Sequence, residues 1–237
     1  MARVALFAPC YLALARPADA AAARAVLERL GDAVETVTGL CCGQPAFNAG
    51  ARREARRVAA AAIRAVREFD AVVVPSGSCA AMAAHEWRTL FPQSARAADR
   101  AAAVREFTAY VASHPNLERV SFRLRGVVAY HDSCHARREL RLTEGVLGLL
   151  GRVDGLEVRR MRYEAECCGF GGAFCVKLPE VAAAMAAAKA SDAAATGAHV
   201  IVSTDLSCLL HIEAAARGLG LQLEGWTVAE LLARSLA

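Results

Sequence analysis

The chain repeats itself. Three segments of the first half return in the same order in the second: VALFAPC (4–10) as VVAYHDSC (127–134), LCCGQPAF (40–47) as ECCGFGGAF (166–174), and VVVPSGSC (72–79) as VIVSTDLSC (200–208). The cysteine spacings follow. Cys10 to Cys41 is 31 positions and Cys41 to Cys79 is 38; Cys134 to Cys167 is 33 and Cys167 to Cys208 is 41. Three matched segments in register mark an internal duplication, which limits the architecture more than any local propensity does.

Between the matched segments, short apolar runs alternate with longer amphipathic ones. Strands are predicted over 4–8, 33–37 and 71–74, and helices over about 19–30, 51–69 and 80–90, with one more helix running to about 112. The second half repeats the order, with strands over 126–130, 156–161 and 199–203 and helices to 150, over about 179–196, and after Cys208. Strands alternating with helices predict parallel sheets in βαβ units. The expected fold class is therefore α/β: two duplicated Rossmann-like halves with parallel sheets, related by pseudo-two-fold symmetry. Pro115 and Asn116 interrupt the pattern, which gives a first domain over 1–113, a linker over 114–125 and a second domain over 126–237.

A folded chain of this length buries roughly 70% of its unfolded surface, so it needs no disulfide staples. With 56% hydrophobic and 22% charged residues it is not disordered. Nine cysteines are thus an excess, and an odd number cannot all pair. No uncharged apolar run approaches the ~20 residues of a membrane span. The start has the layout of a secretory signal, with Arg3, an apolar run and an Ala-x-Ala-like site. The strand at 4–8, however, has a counterpart deep in the chain, so it is read as part of the fold. A cytoplasmic location follows, where clustered cysteines are read as metal ligands or catalytic thiols. The net charge of +4 is small, and no aromatic interleaving or reader motif points to nucleic acid. Abundant alanine, and arginine in place of lysine except at Lys177 and Lys189, are read as signatures of a GC-rich coding sequence.

Eight cysteines fall just after predicted strands. The carboxyl ends of parallel strands form one rim, where ligands bind. Each half thereby gathers a four-thiolate group, Cys10, Cys41, Cys42 and Cys79 in the first and Cys134, Cys167, Cys168 and Cys208 in the second. Gly43 and Gly169 follow the paired cysteines, where a tight turn requires a residue tolerant of positive φ. Helix starts beside the sulfurs favour thiolate over thiol. Four thiolates suit zinc or an iron–sulfur cluster. Structural zinc sites usually come as Cys-x-x-Cys knuckles, and none is present, so iron–sulfur is preferred over zinc. Burial as small apolar residues would explain one or two cysteines, but not eight in register.

Other signals weigh less. GFGG at 169–172 fails the dinucleotide fingerprint because Phe174 stands at the third glycine position, so NAD is not expected. His131, Asp132 and His135 surround Cys134. They would tune a bound group or accept protons; alternatively, Asp132 or Ser133 would cap the next helix. His85, His114 and His199 are given no role. Arg52, Arg53, Arg56 and Arg57 share a helix face, read as solvated or as a dock for an acidic partner. Cys175 has no counterpart in the first half and is read as a neutral occupant of a helix start.

Two copies of Cys…Cys-Cys-Gly…Cys resemble the cysteine-rich CCG domains of iron–sulfur oxidoreductases, among them the CCG-containing subunits of heterodisulfide reductase, of glycolate oxidase (its iron–sulfur subunit) and of anaerobic glycerol-3-phosphate dehydrogenase. PSGSCAAM (75–82), YHDSCHARREL (130–140), CCGFGGAF (167–174) and STDLSCLLHI (203–212) are most similar to the lactate utilization protein A family. The resemblance implies an iron–sulfur electron-transfer subunit of an L-lactate oxidation system, lactate to pyruvate, within an L-lactate dehydrogenase-type complex that does not use NAD. It also implies the eight cysteines above as cluster ligands. The heterodisulfide reductase pattern ends each copy in Cys-x-x-Cys, where this chain has Met82 and His211. Both are expected to pack as neutral residues, and four ligands per half suit a 4Fe–4S cubane. The chain lacks the ferredoxin Cys-x-x-Cys-x-x-Cys run, which implies a partner subunit carrying ferredoxin-type clusters. Two other readings stand: a structural zinc or metal-free scaffold, and a thiol–disulfide reductase in which Cys41-Cys42 or Cys167-Cys168 cycle.

Overall fold

Each half builds its own parallel sheet. The computed structural model describes residues 3–237, so the first two residues of the expected first domain lie outside the described residues. In the first unit, which runs to Val120, the strands are β1 (Arg3–Phe7), β2 (Ala33–Val37), β3 (Ala71–Val74) and β4 (Val104–Glu106). In the second, Ser121–Ala237, they are β5 (Phe122–His131), β6 (Val153–Arg160), β7 (Val200–Ser203) and β8 (Glu224–Thr227). Both sheets are parallel throughout and share one order, β2-β1-β3-β4 and β6-β5-β7-β8. The predicted α/β class with duplicated Rossmann-like halves is what the chain forms.

The order explains the position of the rim. From β1 the chain crosses to one side for β2, then returns past β1 to β3 on the other. The loops leaving all three strands consequently open on the same edge, at the switch of direction where α/β sheets bind ligands. The inner strands β1 and β3 are buried on both faces, with no exposed surface at residues 4–8 and 72–74, while the edge strand β2 is partly exposed. Alanines face the core from the covering helices. Ala55, Ala59 and Ala62 are buried on the helix Arg52–Ala65, and Ala182, Ala186, Ala190 and Ala193 on the helix Pro179–Ala195. Side chains this small allow close helix–sheet approach.

Both sheets contain a fourth strand that the sequence pattern does not reveal. β4 interrupts the helix expected to run to 112, and β8 lies beyond the last predicted strand. Their sequences, VRE and EGWT, lack the short apolar run that marks the comparably short β3 (AVVV) and β7 (VIVS). The predicted 80–90 helix starts at Gly77 and includes a π-helical turn, Met82–Glu86. Residues 114–125, expected as a linker, contain a 3-10 turn (Leu117–Arg119) and the start of β5, and the unit boundary falls among them. Among the described residues, no helix is long and apolar enough to cross a membrane.

Each fourth strand ends on a helix cap. Thr227 Oγ1 accepts from the Glu230 N–H at 3.1 Å. Glu106, buried, does more: Oε2 accepts from the N–H groups of Thr108 (2.7 Å) and Ala109 (3.1 Å), and Oε1 from the Thr108 hydroxyl (2.9 Å). Removing a cap while leaving buried donors unpaired costs roughly 1–3 kcal/mol. Glu106→Ala is therefore expected to lower the urea unfolding free energy by about that amount, and Glu106→Gln to recover part of it.

Candidate functional site

The three strand ends deliver four sulfurs. Cys10 opens the helix Cys10–Ala15 after β1, Cys41 and Cys42 lie in the loop after β2, and Cys79 sits in the first turn of the helix Gly77–Ala81 after β3. The second half repeats this with Cys134 opening Cys134–Arg138, Cys167 and Cys168 after β6, and Cys208 in the first turn of Leu206–Gly218. The residues meet in a line of hydrogen-bonded sulfurs. Cys41 contacts Cys10 and Cys42, and the Cys42 thiol donates to Cys79 Sγ at 3.2 Å. Likewise Cys167 contacts Cys134 and Cys168, and Cys168 contacts Cys208. All nine cysteines are free thiols. Cys175 stands apart: its thiol donates to the Gly172 carbonyl at 3.1 Å.

Each line of sulfurs stabilises one thiolate. Hydrogen bonds from the Cys10 and Cys42 thiols, helped by the Gly43 N–H at 3.4 Å, pull the Cys41 thiol down to about 3. The Cys134 and Cys168 thiols, helped by the Gly169 N–H at 3.4 Å, bring Cys167 to about 2. The neighbours are pushed the other way. Cys10 and Cys134 rise because each shares its proton with the adjacent thiolate, and burial adds to this. Cys42 and Cys168 also rise through their sulfur hydrogen bonds and burial. A soft cation entering such a group would displace the remaining protons, because metal ligation requires the thiolate form.

The paired cysteines owe their geometry to the glycine that follows them. Gly43 has φ of 99° and Gly169 of 82°. A Cβ on Gly43 would lie 3.2 Å from the Ala55 carbonyl oxygen; on Gly169 it would lie 2.7 Å from Met185 Cβ and 2.8 Å from the Ala182 oxygen. The glycines thus satisfy two demands at once, a left-handed turn and contact with the adjoining helix. Met82 is buried against the Gly43 turn, its Cε 3.5 Å from the same Cβ position. His211 Nε2 lies 3.1 Å from the Ala182 carbonyl, and its ring meets Phe170 edge-on at 5.9 Å.

Around the second group the wall is polar. The Ser133 hydroxyl pairs with Thr204 Oγ1 and Asp205 Oδ2, each at 3.1 Å. Asp132 accepts from the Tyr130 hydroxyl (3.2 Å) and Thr143 Oγ1 (2.7 Å), and its burial pushes its carboxyl up. Neither side chain caps the helix Cys134–Arg138. His135 Nδ1 is 3.5 Å from Cys134 Sγ. His131, the last residue of β5, is 1% exposed. An imidazole nitrogen of His131 and the sulfurs of Cys168 and Cys208 all lie within 4.8 Å of one another, a group able to hold a metal ion. Burial, with the Lys189 charge, brings His131 down to about 3, so its ring is neutral. Lys189 is itself buried and donates to the Tyr163 carbonyl. The clustering of His131 with Cys134 in sequence marked it as a candidate, but its contact with Cys168 and Cys208 depends on the sheet.

On the arginine face, Arg52 lies over the Phe47 ring at 3.9 Å and Arg56 over Phe91 at 5.2 Å, so two of the four arginines rest on aromatic rings of their own chain.

The cysteine-rich domain family (CCG) matches residues 4–83 and 128–213. The chain is 36% identical over 235 residues to lactate utilization protein A 1 of Bacillus cereus (strain AH820), covering 97% of this chain and 98% of that protein. It is 35% identical, with the same coverage, to lactate utilization protein A of Bacillus thuringiensis (strain Al Hakam). Among solved structures, an aspartate racemase homologue from Pyrococcus horikoshii superposes over 99% of this chain and 96% of that one, at 11% identity and a TM-score of 0.33, too remote to bear on function.

Two outcomes follow from this geometry. Gly169→Ala should destabilise the protein by roughly 2–5 kcal/mol in urea unfolding, as backbone strain adds to overpacking, and Gly43→Ala by roughly 1–2 kcal/mol. In metal-free, reduced protein, pH 5 lies above the depressed values of Cys41 and Cys167, which are thiolates there, whereas ordinary thiols are protonated. Lower intrinsic nucleophilicity offsets only part of that gain, so iodoacetamide should label these two roughly tenfold faster than the other cysteines by peptide mass spectrometry. Uniform labelling would contradict the thiolate assignment.

Proposed function

The chain belongs to the lactate utilization protein A family of cysteine-rich CCG-domain proteins, and from that premise we propose that it is the iron–sulfur electron-transfer subunit of a system oxidising L-lactate to pyruvate. Each of its two CCG domains holds a 4Fe–4S cluster, on Cys10, Cys41, Cys42 and Cys79 in one and on Cys134, Cys167, Cys168 and Cys208 in the other. The observation that carries the reading is the line of four contacting sulfurs at the strand ends of each half. An all-sulfur donor set with one thiolate already formed fits a soft, thiophilic group. When bound, such a cluster accepts and releases single electrons.

The chain's own residues set the conditions. Cys42, Cys168 and Cys208 are buried, which keeps water from one side of each group, while Cys10, Cys41, Cys134 and Cys167 are partly exposed. The exposed side gives a partner access. The Gly43 and Gly169 N–H groups donate to the Cys41 and Cys167 sulfurs, and donors of this kind raise a cluster's potential by stabilising its more negative reduced form. With no ferredoxin run in this chain, the partner is another subunit of the lactate system that carries ferredoxin-type clusters. Eight reduced thiols suit the cytoplasm.

Protein purified and reconstituted without oxygen should contain iron and acid-labile sulfide in equal amounts and show the broad visible absorption of a 4Fe–4S cluster. Cys41→Ser and Cys167→Ser should each remove the iron of one half, and each should abolish lactate-dependent electron transfer in the assembled system. Stoichiometric zinc without sulfide, the four-thiolate alternative, would overturn the reading, as would full electron transfer in both variants.

A further inference from the structure

The two halves share a backbone plan but not the lining of their sulfur sites. Phe7 and His131 are equivalent positions. Each ends the central strand of its sheet and stands three residues before the first cysteine of its group (7 to 10, 131 to 134). In the first half the position is apolar, and the Phe7 ring meets Trp87 edge-on at 6.4 Å within the core. In the second half it is an imidazole, 1% exposed, with a nitrogen in the same 4.8 Å group as the Cys168 and Cys208 sulfurs. Both of its ring nitrogens lack a hydrogen-bond partner among the described residues.

An unpaired imidazole this deeply buried is costly, since a desolvated polar group without a partner loses roughly 1–3 kcal/mol. The rest of the second site shows that polar atoms here are otherwise satisfied. Ser133 pairs with Thr204 and Asp205, Asp132 with Tyr130 and Thr143, and His211 with the Ala182 carbonyl. A second difference lies on the same side. The helices that press on Gly43 and Gly169 do so through Ala55 and Ala182. Seven residues further along each (55 to 62, 182 to 189) stand Ala62, buried and apolar, and Lys189, buried and within electrostatic reach of Cys167 and Cys168. At these two equivalent positions the second half carries an imidazole and an ammonium where the first carries hydrocarbon.

We propose that His131 supplies an imidazole nitrogen ligand to the iron–sulfur group of the second half, so that this half offers four sulfurs and one nitrogen while the first offers four sulfurs alone. The inference rests on the iron–sulfur reading above. Imidazole suits iron alongside thiolate. Coordination would satisfy one ring nitrogen that the protein leaves unpaired.

Pulsed electron paramagnetic resonance on the full-length, anaerobically reconstituted and dithionite-reduced protein tests the proposal, with iron and sulfide measured on the same samples. The wild type should show a strong ¹⁴N coupling that changes to the ¹⁵N pattern after histidine-specific labelling. His131→Phe, which places in the second half the residue type of the first, should abolish that coupling. His131→Cys supplies a different donor and should keep the iron content while losing the coupling, which guards against loss through misfolding. His211→Asn should leave it unchanged. Iron and sulfide without a strong nitrogen coupling would overturn ligation by His131 and leave the cluster reading intact. So would a weak coupling of the kind an N–H···S hydrogen bond gives, persistence of the coupling in His131→Phe or His131→Cys, or its loss in His211→Asn. Absence of iron and sulfide from the wild type would overturn both.

Discussion

Parallel strands end on a common edge, and everything chemical in this protein depends on that constraint. A sheet ordered with its first strand inside and the next two on either side sends three loops to one rim. Cysteines separated by 31 and 38 positions in one half, and 33 and 41 in the other, thereby come within contact distance. No local turn could assemble such a set from residues so far apart. The sheet is therefore the scaffold of the site, and the helices are what hold the sheet in place.

The Cys-Cys-Gly turn makes the arrangement tight. Its glycine adopts positive φ while touching the carbonyl of an alanine on the neighbouring helix, and its N–H is directed at the preceding thiolate. This gives the abundant alanine a physical role that composition alone did not suggest. Ala55, Ala59, Ala182 and Ala186 form buried helix faces narrow enough for the turn to approach. Larger side chains at these positions would push the helix outward and separate the sulfur pair from its stabilising donors.

Duplication fixed the backbone in both halves and left the linings free to diverge. The fourth strands show the same freedom in milder form: Glu106 and Thr227 cap the following helices from equivalent places with different chemistry. At the sulfur sites the divergence is electrostatic. Phe7 and Ala62 are buried hydrocarbon in the first half, whereas at the equivalent positions His131 and Lys189 bring a neutral ring and a buried ammonium to the second site. Two sites of common origin thus offer a bound group different surroundings.

The sequence alone determined the duplication, the parallel α/β class and the eight cysteines, because repeat spacing and strand-ending position are properties of chain order. It could not reveal β4 (VRE) and β8 (EGWT), which lack an apolar run and pair along the edges that β3 and β7 offer. Nor could it decide between Met82, His211, His135 and His131 as neighbours of the sulfurs. Those are fixed by side-chain direction at the end of a strand and across a helix: His211 turns to the Ala182 carbonyl, while His131 lies with Cys168 and Cys208. Chain order places a residue on a rim; only the packed tertiary structure decides which way it points.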